Sequence, residues 1–270
     1  MTASPHAPAL SPQLLTAPQW LGSAWLWHGF TTRQGGQSTV YNPGGELNLG
    51  FTPHDDAATV TANRVILAEA LTGDPATPIH TVRQIHCERS VVAGSGPWNP
   101  PEADGLISAE PGVLLAILTA DCIPVLVADP VRRVVAAFHA GWRGTVARVV
   151  ELGVARMVAE FGSDPADLQA AIGPGIGSCC YIVGDEVRSR FTADFTYAEA
   201  LFHTVEGKLR LDLPEANRRQ LLAAGLHGGS IQRVGGCTSC HPELYFSHRA
   251  DQGRTGRMMS LIGIRPAPAQ

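Results

Sequence analysis

Two apolar runs, residues 123–128 and 134–138, flank the segment Asp129-Pro-Val-Arg-Arg133. Short apolar runs of this length suit buried strands, and an Asp-Pro start followed by two arginines is turn chemistry. The pair is therefore expected to fold as an antiparallel hairpin. That expectation fixes more than local structure, because residues nearly equidistant from a hairpin turn become cross-strand neighbours. Cys122 and His139 lie almost equally far from Val131, at the open end of the two runs. Directly opposed residues hold their Cβ atoms roughly 4.5–5.5 Å apart, and a register slip by one would spoil their facing but not their proximity.

A thiol beside an imidazole serves two chemistries. One is a thiolate nucleophile with a general base. The other is coordination of a soft metal by sulfur and nitrogen with one position left open. The metal reading needs a third donor, and Gln84-Ile-His86 offers it at the end of a strand-like segment, residues 79–85. A buried Cys and a hydrogen-bonded core His would be the plain alternative. The polar, glycine-rich contexts Thr119-Ala-Asp-Cys122 and His139-Ala-Gly-Trp-Arg-Gly144 favour function instead.

The remaining chain sets the frame. Residues 55–71 read as a helix with Gly73 beyond its end, and residues 145–161 as a longer one with an apolar face from Val146 to Phe161. Gly162 closes the second helix, and Asp164-Pro165 reads as the opening of a further short one. Residues 113–118, 170–172 and 260–264 are further strand candidates, while Gly44-Gly45 and residues 94–101 read as surface loops. Strands and helices mix without regular alternation, which predicts an α+β fold in a single domain. A Pro-interrupted lead-in over residues 1–18 would precede that domain, residues 19–270.

With a net charge of −4 and arginines spread along the chain, no basic face for nucleic acid is expected. The longest apolar run is far too short to span a membrane, and residues 1–18 lack the basic start of a secretory signal. A cytoplasmic setting follows. Six cysteines, two adjacent and two as Cys237-x-x-Cys240, make a poor disulfide framework for a chain of this length.

The segments around Cys122 and His139 closely resemble the YfiH, or laccase-domain, family of purine nucleoside phosphorylases. Gly29-Phe-Thr-Thr-Arg33, Leu47-Asn-Leu-Gly50, Asn63-Arg64, Gln84-Ile-His86, Ala103-Asp-Gly105 and Ile172-Gly-Pro-Gly-Ile-Gly177 extend the likeness. So do Cys179-Cys-Tyr181, Gly184-Asp-Glu-Val187, Cys237-Thr-Ser-Cys240, Phe246-Ser-His248 and Gly256-Arg-Met258. The resemblance implies zinc held by His86, Cys122 and His139. It further implies an α+β fold of mixed β-sheets flanked by helices, phosphorolysis of purine nucleosides (adenosine, inosine, methylthioadenosine) with inorganic phosphate, and adenosine deamination. A monomer or homodimer is expected. Zinc can lower the pKa of water for attack at C6 of adenine, and bidentate arginine suits phosphate.

Within that resemblance Arg33 is the expected phosphate-binding arginine. Asn48, Arg64, Gln84 and Arg143 are further substrate-binding candidates, although Arg64 and Arg143 read equally well as surface residues. Asp121 would relay protons or orient a ligand. Residues 173–177 read as a tight turn, Cys179-Cys180 as a packed pair, and Arg249, Arg254 and Arg257 as a solvated basic stretch from which Arg257 could reach the pocket. Cys237-x-x-Cys240 with His241 looks like half a zinc knuckle without its second half. Two other activities compete. A single copper on the same His2Cys donors is chemically possible and would give laccase-like polyphenol oxidation, although no His-x-His pair supplies a multicopper cluster. A peptidoglycan-editing hydrolase would use Cys122 as nucleophile and His139 as base.

Overall fold

The expected hairpin lies at the centre of the structure, a computed structural model that describes residues 11–267. Its strands in chain order are β1 (Leu14–Leu15), β2 (Leu26–Thr31), β3 (Ile79–His80), β4 (Ser90–Val92), β5 (Gly105–Ser108), β6 (Leu114–Thr119) and β7 (Ile123–Asp129). They continue as β8 (Val134–Ala140), β9 (Gln169–Ile172), β10 (Phe202–Val205), β11 (Lys208–Leu211), β12 (Ile231–Arg233) and β13 (Met258–Ile264). The α-helices are α1 (Ala57–Thr72), α2 (Trp142–Val146), α3 (Val149–Phe161), α4 (Asp185–Asp194) and α5 (Leu213–Ala223).

Every residue of β7 and β8 is buried. Strands covered on both faces read as nearly unbroken apolar runs, which is why this hairpin stood out in the sequence. The two faces have different partners. Leu126, Val135 and Ala137 meet Phe30, Leu115, Ile117 and Ile262 of a second sheet. Val125, Val127, Ala136 and Phe138 point the other way, onto Val149, Val150, Val154 and Met157 of α3 and onto α4 and α5. Each of those α3 side chains contributes about 1.5–3 kcal/mol on burial.

The result is four layers. Helix α1, through Leu67, covers Leu114, Ala116 and Leu261 of a five-stranded sheet ordered β1-β2-β13-β6-β3. That sheet packs on a six-stranded one ordered β12-β9-β7-β8-β5-β4, which α3, α4 and α5 cover, while β10 and β11 form a separate two-stranded sheet. Pairs β3–β6, β4–β5 and β9–β12 are parallel and the rest antiparallel. The fold is α+β with mixed sheets in one domain.

Helix α1 matches its expected span. The Asp56 side chain caps it by accepting from Thr59 N, and Gly73 closes it with a left-handed φ of 84°. The expected helix over 145–161 is instead two helices, because Arg148 adopts a left-handed φ of 65° between α2 and α3. Its guanidinium is held there by Glu151 and by the carbonyl of Asp194, partners that no sequence period reveals. Asp164-Pro165 opens only a turn, in which the Asp164 carboxylate accepts from Ala166 N. The strand expected over 79–85 ends at His80. Of the expected irregular lead-in, residues 1–10 lie outside the described residues; Leu14–Leu15 pair with β2 and Trp20 is buried.

Candidate metal centre

The hairpin pairs Pro124 with His139 and Ile123 with Ala140. Continued by one residue, this register sets Cys122 opposite Gly141, and His139 becomes the diagonal neighbour on the same face. His139 thus sits two residues from the position directly opposite Cys122, and the thiol and imidazole still share a face. Gly141 leaves the space between them open. A Cβ at Gly141 would fall 2.7 Å from His86 Cδ2 and 3.1 Å from Cys122 Sγ.

His86 fills that space, carried by the loop after β3. It holds a left-handed φ of 62°, and Asp121 beside Cys122 holds one of 96°. Such conformations cost side-chain-bearing residues on the order of 1–3 kcal/mol, and strain of this kind collects at functional sites. Asp104, fully buried just before β5, holds the two histidines together. Its Oδ2 accepts from Ile85 N (3.0 Å) and Cys87 N (2.7 Å), which fixes the backbone around His86. Its Oδ1 pairs with His139 Nδ1 at 2.7 Å, leaving Nε2 of His139 for the centre.

The donor atoms of His86, Cys122 and His139 all lie within 4.8 Å of one another, with Cys122 Sγ 3.8 Å from His86 Nε2. The two imidazole rings are 77° apart in plane, so their nitrogens converge without stacking. Electrostatics tighten the group. Burial opposes charge on Asp104, but the bonds from His139 and Cys87 hold its carboxyl down at about 2. Burial likewise opposes an imidazolium at His139, yet the Cys122 thiolate and Asp104 raise it to about 9. Burial also disfavours the Cys122 thiolate, and His139 and His86 more than offset this, lowering the thiol to about 6.

One soft and two borderline donors, backed by a carboxylate and open on one side, fit a single zinc or copper ion. A multinuclear copper cluster does not fit. Among the described residues, the other group able to hold a metal consists of Cys179, Cys180, Cys237 and Cys240, with no histidine.

The centre opens into a cleft of about 870 Å³. Gln84, His86, Asp121, Cys122, His139 and Arg64 line it, with Phe51, Leu118, Ile176 and Tyr181 as apolar and aromatic wall. Arg64 stacks over Phe51 and donates from Nε and Nη2 to Leu49 O, with no partner for Nη1 among the described residues; burial lowers it to about 10, still charged at neutral pH. Arg257 and Arg249 also reach the cleft, and their guanidinium contacts go to carbonyls, those of Thr255 and Gly256 and of Ile182. Three arginines without a carboxylate partner among the described residues make this an anion-attracting wall. Arg64 was a sequence candidate and Arg257 was expected to be able to reach the pocket, whereas Arg249 was read only as part of a solvated basic stretch.

Other sequence candidates sit outside the cleft or are already engaged within it. Arg33 lines a separate cavity, bound to Glu46 at 2.5 Å and to the Pro242 carbonyl, with its guanidinium over Phe246. Its charge is already neutralised there. Asn48 is fully buried and joins Gly50, Asp55 and Arg257 N, so it shapes the loop instead of touching the cleft. Arg143 is exposed, with its guanidinium over Trp142, outside the cleft lining. Gln84 lines the cleft, but its amide is used at both ends by Leu118 of β6. Asp121 accepts from Thr238 Oγ1, Ser247 Oγ and Arg249 N, which makes it an anchor for those loops and leaves little capacity to relay protons. Asp104 was passed over as a site residue, although the Ala103-Asp-Gly105 motif contained it.

The chain matches, over residues 27–265, a family model described as multi-copper polyphenol oxidoreductase laccase. It is 38% identical over 248 residues to the purine nucleoside phosphorylase YlmD of Bacillus subtilis, covering 88% of each chain. A crystal structure of the hypothetical protein YfiH from Bacillus licheniformis superposes with a TM-score of 0.85 at 36% identity, covering 96% of this chain and 98% of that one. The crystal structure of YlmD from Geobacillus stearothermophilus gives a TM-score of 0.83 at 37% identity over 93% and 94% of the two chains.

Proposed function

This chain belongs to the multi-copper polyphenol oxidoreductase laccase family, and within it we propose that the cleft catalyses phosphorolysis of purine nucleosides at a zinc centre. The observation that carries this reading is the pairing, in one cleft, of the His86–Cys122–His139 donors with Arg64 and Arg257. The relatives named purine nucleoside phosphorylase support it. Phosphorolysis joins a phosphate oxygen to C1′ of the sugar as the bond to the purine nitrogen breaks. The products are a sugar 1-phosphate and a free base. There is little covalent work for the protein in such a step, so positioning and charge dominate.

Each part of the cleft then has a task. Arg64, through Nη1, and Arg257 hold phosphate. Phe51 and Tyr181 offer aromatic faces to a purine, and burial keeps the Tyr181 phenol protonated as a hydrogen-bond donor. Asp121 positions Arg249, whose guanidinium lies over Tyr181. Zinc, when bound by His86, Cys122 and His139, supplies the Lewis acidity that adenosine deamination at C6 also requires. Adenosine, inosine and methylthioadenosine are the proposed substrates, in a cytoplasm that keeps the six free thiols reduced. No helix among the described residues is long and apolar enough to cross a membrane.

Inosine supplied with phosphate should give hypoxanthine and ribose 1-phosphate in equal amounts, and nothing without phosphate. Release of hypoxanthine without phosphate would overturn the reading. A second reading is favoured by one observation: Asp104, His139 and Cys122 also form an orienter–base–nucleophile series, as in a Cys–His hydrolase. Chelation separates the two, since such a hydrolase works without metal.

A further inference from the structure

We propose that Cys179, Cys180, Cys237 and Cys240 bind a second metal ion, a structural tetrathiolate zinc distinct from the centre at Cys122. The four Sγ atoms lie within 4.8 Å of one another. Cys240 Sγ is 3.3 Å from Cys179 Sγ and 3.3 Å from Cys180 Sγ. A tetrahedral zinc with Zn–S bonds of about 2.3 Å sets its sulfurs about 3.8 Å apart, inside the range these four span. A disulfide would need one sulfur pair singled out at about 2.05 Å, whereas Cys240 is equidistant from two candidates and all four thiols are free.

The surroundings suit thiolates on a metal. Gly177 N donates to Cys237 Sγ at 3.2 Å. Gly177 also permits the approach, because a Cβ there would lie 3.3 Å from both Cys179 Sγ and Cys237 Cβ. The Arg210 guanidinium donates to the Cys179 carbonyl, placing a cation beside four thiolates whose charge exceeds that of the metal. His241, the apparent knuckle partner in sequence, faces Glu243 instead at 3.2 Å. Four sulfur ligands leave no open position, so the ion would be structural, with binding releasing thiol protons and no change of oxidation state.

Its location gives it a role. Gly175 bridges Cys237 in parallel, and Thr238 N donates to Gly175 O at 3.1 Å. Both loops then converge on Asp121: Ile176 N donates to its carbonyl at 2.7 Å, and Thr238 Oγ1 to its carboxylate at 2.6 Å. The ion would staple residues 173–181 to residues 237–240, and so hold the cleft wall that carries Ile176 and Tyr181.

Metal analysis of the protein purified without chelator should find about two zinc ions per chain. Cys122→Ala protein should keep about one, and Cys237→Ser/Cys240→Ser protein should also keep about one, with the remaining ion at the other centre. Cys122→Ala protein free of zinc would overturn the proposal whatever becomes of the phosphorylase reading. Should the double variant fail to fold, thiol alkylation of the wild-type protein read by peptide mass decides. Cys179 and Cys240 are exposed, yet they should label with the other two only after chelator is added. Immediate labelling of all four, or peptides cross-linked through a disulfide, would equally overturn it.

Discussion

Two clusters of soft donors share Asp121 as a neighbour, and they are built on different scaffolds. Cys122 and His139 stand at the open end of a buried hairpin and are joined there by His86 from the loop after β3; backed by Asp104, the three face a cleft. Cys179, Cys180, Cys237 and Cys240 stand on loops, two of them exposed, and close on one another. Mixed donors with one direction left open suit chemistry; four thiolates with none left open suit a staple. The hairpin and the Asp104 bonds that fix the loop of His86 give the first cluster its shape before any ion arrives, whereas the second depends on its ion to hold two loops together.

The largest break in that comparison should come from Cys122→Ala. Losing a Lewis acid worth several kcal/mol should cost on the order of 10³-fold in kcat/KM for inosine. The thermal midpoint should move little, because the hairpin core remains; a collapse in midpoint with activity per folded molecule intact would erase the contrast. Asp104→Asn comes next. It keeps the shape but weakens the hold on His139 and on the loop of His86, and metal affinity at this centre should fall by roughly 10–100-fold. Equilibrium zinc competition checks it, and an unchanged affinity would remove Asp104 from the account.

A smaller effect is expected at the anion wall. Arg257→Ala should raise KM for phosphate by about tenfold, since a hydrogen bond to a charged group is worth about 1.5–3 kcal/mol. KM for inosine should change less, and equal shifts in both would argue against a phosphate contact.

The last test concerns pH. Without metal, His139 titrates at about 9 and Cys122 at about 6, so between those values the pair is thiolate and imidazolium. A metal needs the neutral imidazole, and binding in that window must expel about one proton. Affinity should therefore rise about tenfold per pH unit from about 6 to about 9 and flatten above. Calorimetry in buffers of different ionisation enthalpy reads the proton count, and a count of zero at neutral pH would contradict the assigned states.

What was legible in the sequence was local or repeated. The hairpin showed because both faces of β7 and β8 are buried, and its arithmetic brought Cys122 to His139 even though His139 sits two residues from direct opposition. Helix α1 showed through its caps. Asp104 was hidden because its partner His139 reaches it only through the β5–β8 pairing. The four-cysteine cluster was hidden likewise, because a parallel bridge joins Gly175 to Cys237 from a distant part of the chain. Arg33 and Asn48 looked like substrate residues in their motifs. In the fold Glu46 takes up the first, and the second shapes the loop that sets Arg257. Arg148 gave no warning of its helix break, since a left-handed φ at a residue other than glycine depends on tertiary partners.

The central claim is that the metal held by His86, Cys122 and His139 does the work on purine nucleosides. The most direct measurement is the rate of phosphate-dependent hypoxanthine release from inosine, first in metal-stripped protein and then as zinc is returned. The account predicts a rate near background after stripping, recovering as this centre fills, and no recovery in Cys122→Ala. A full rate in the stripped protein would contradict it.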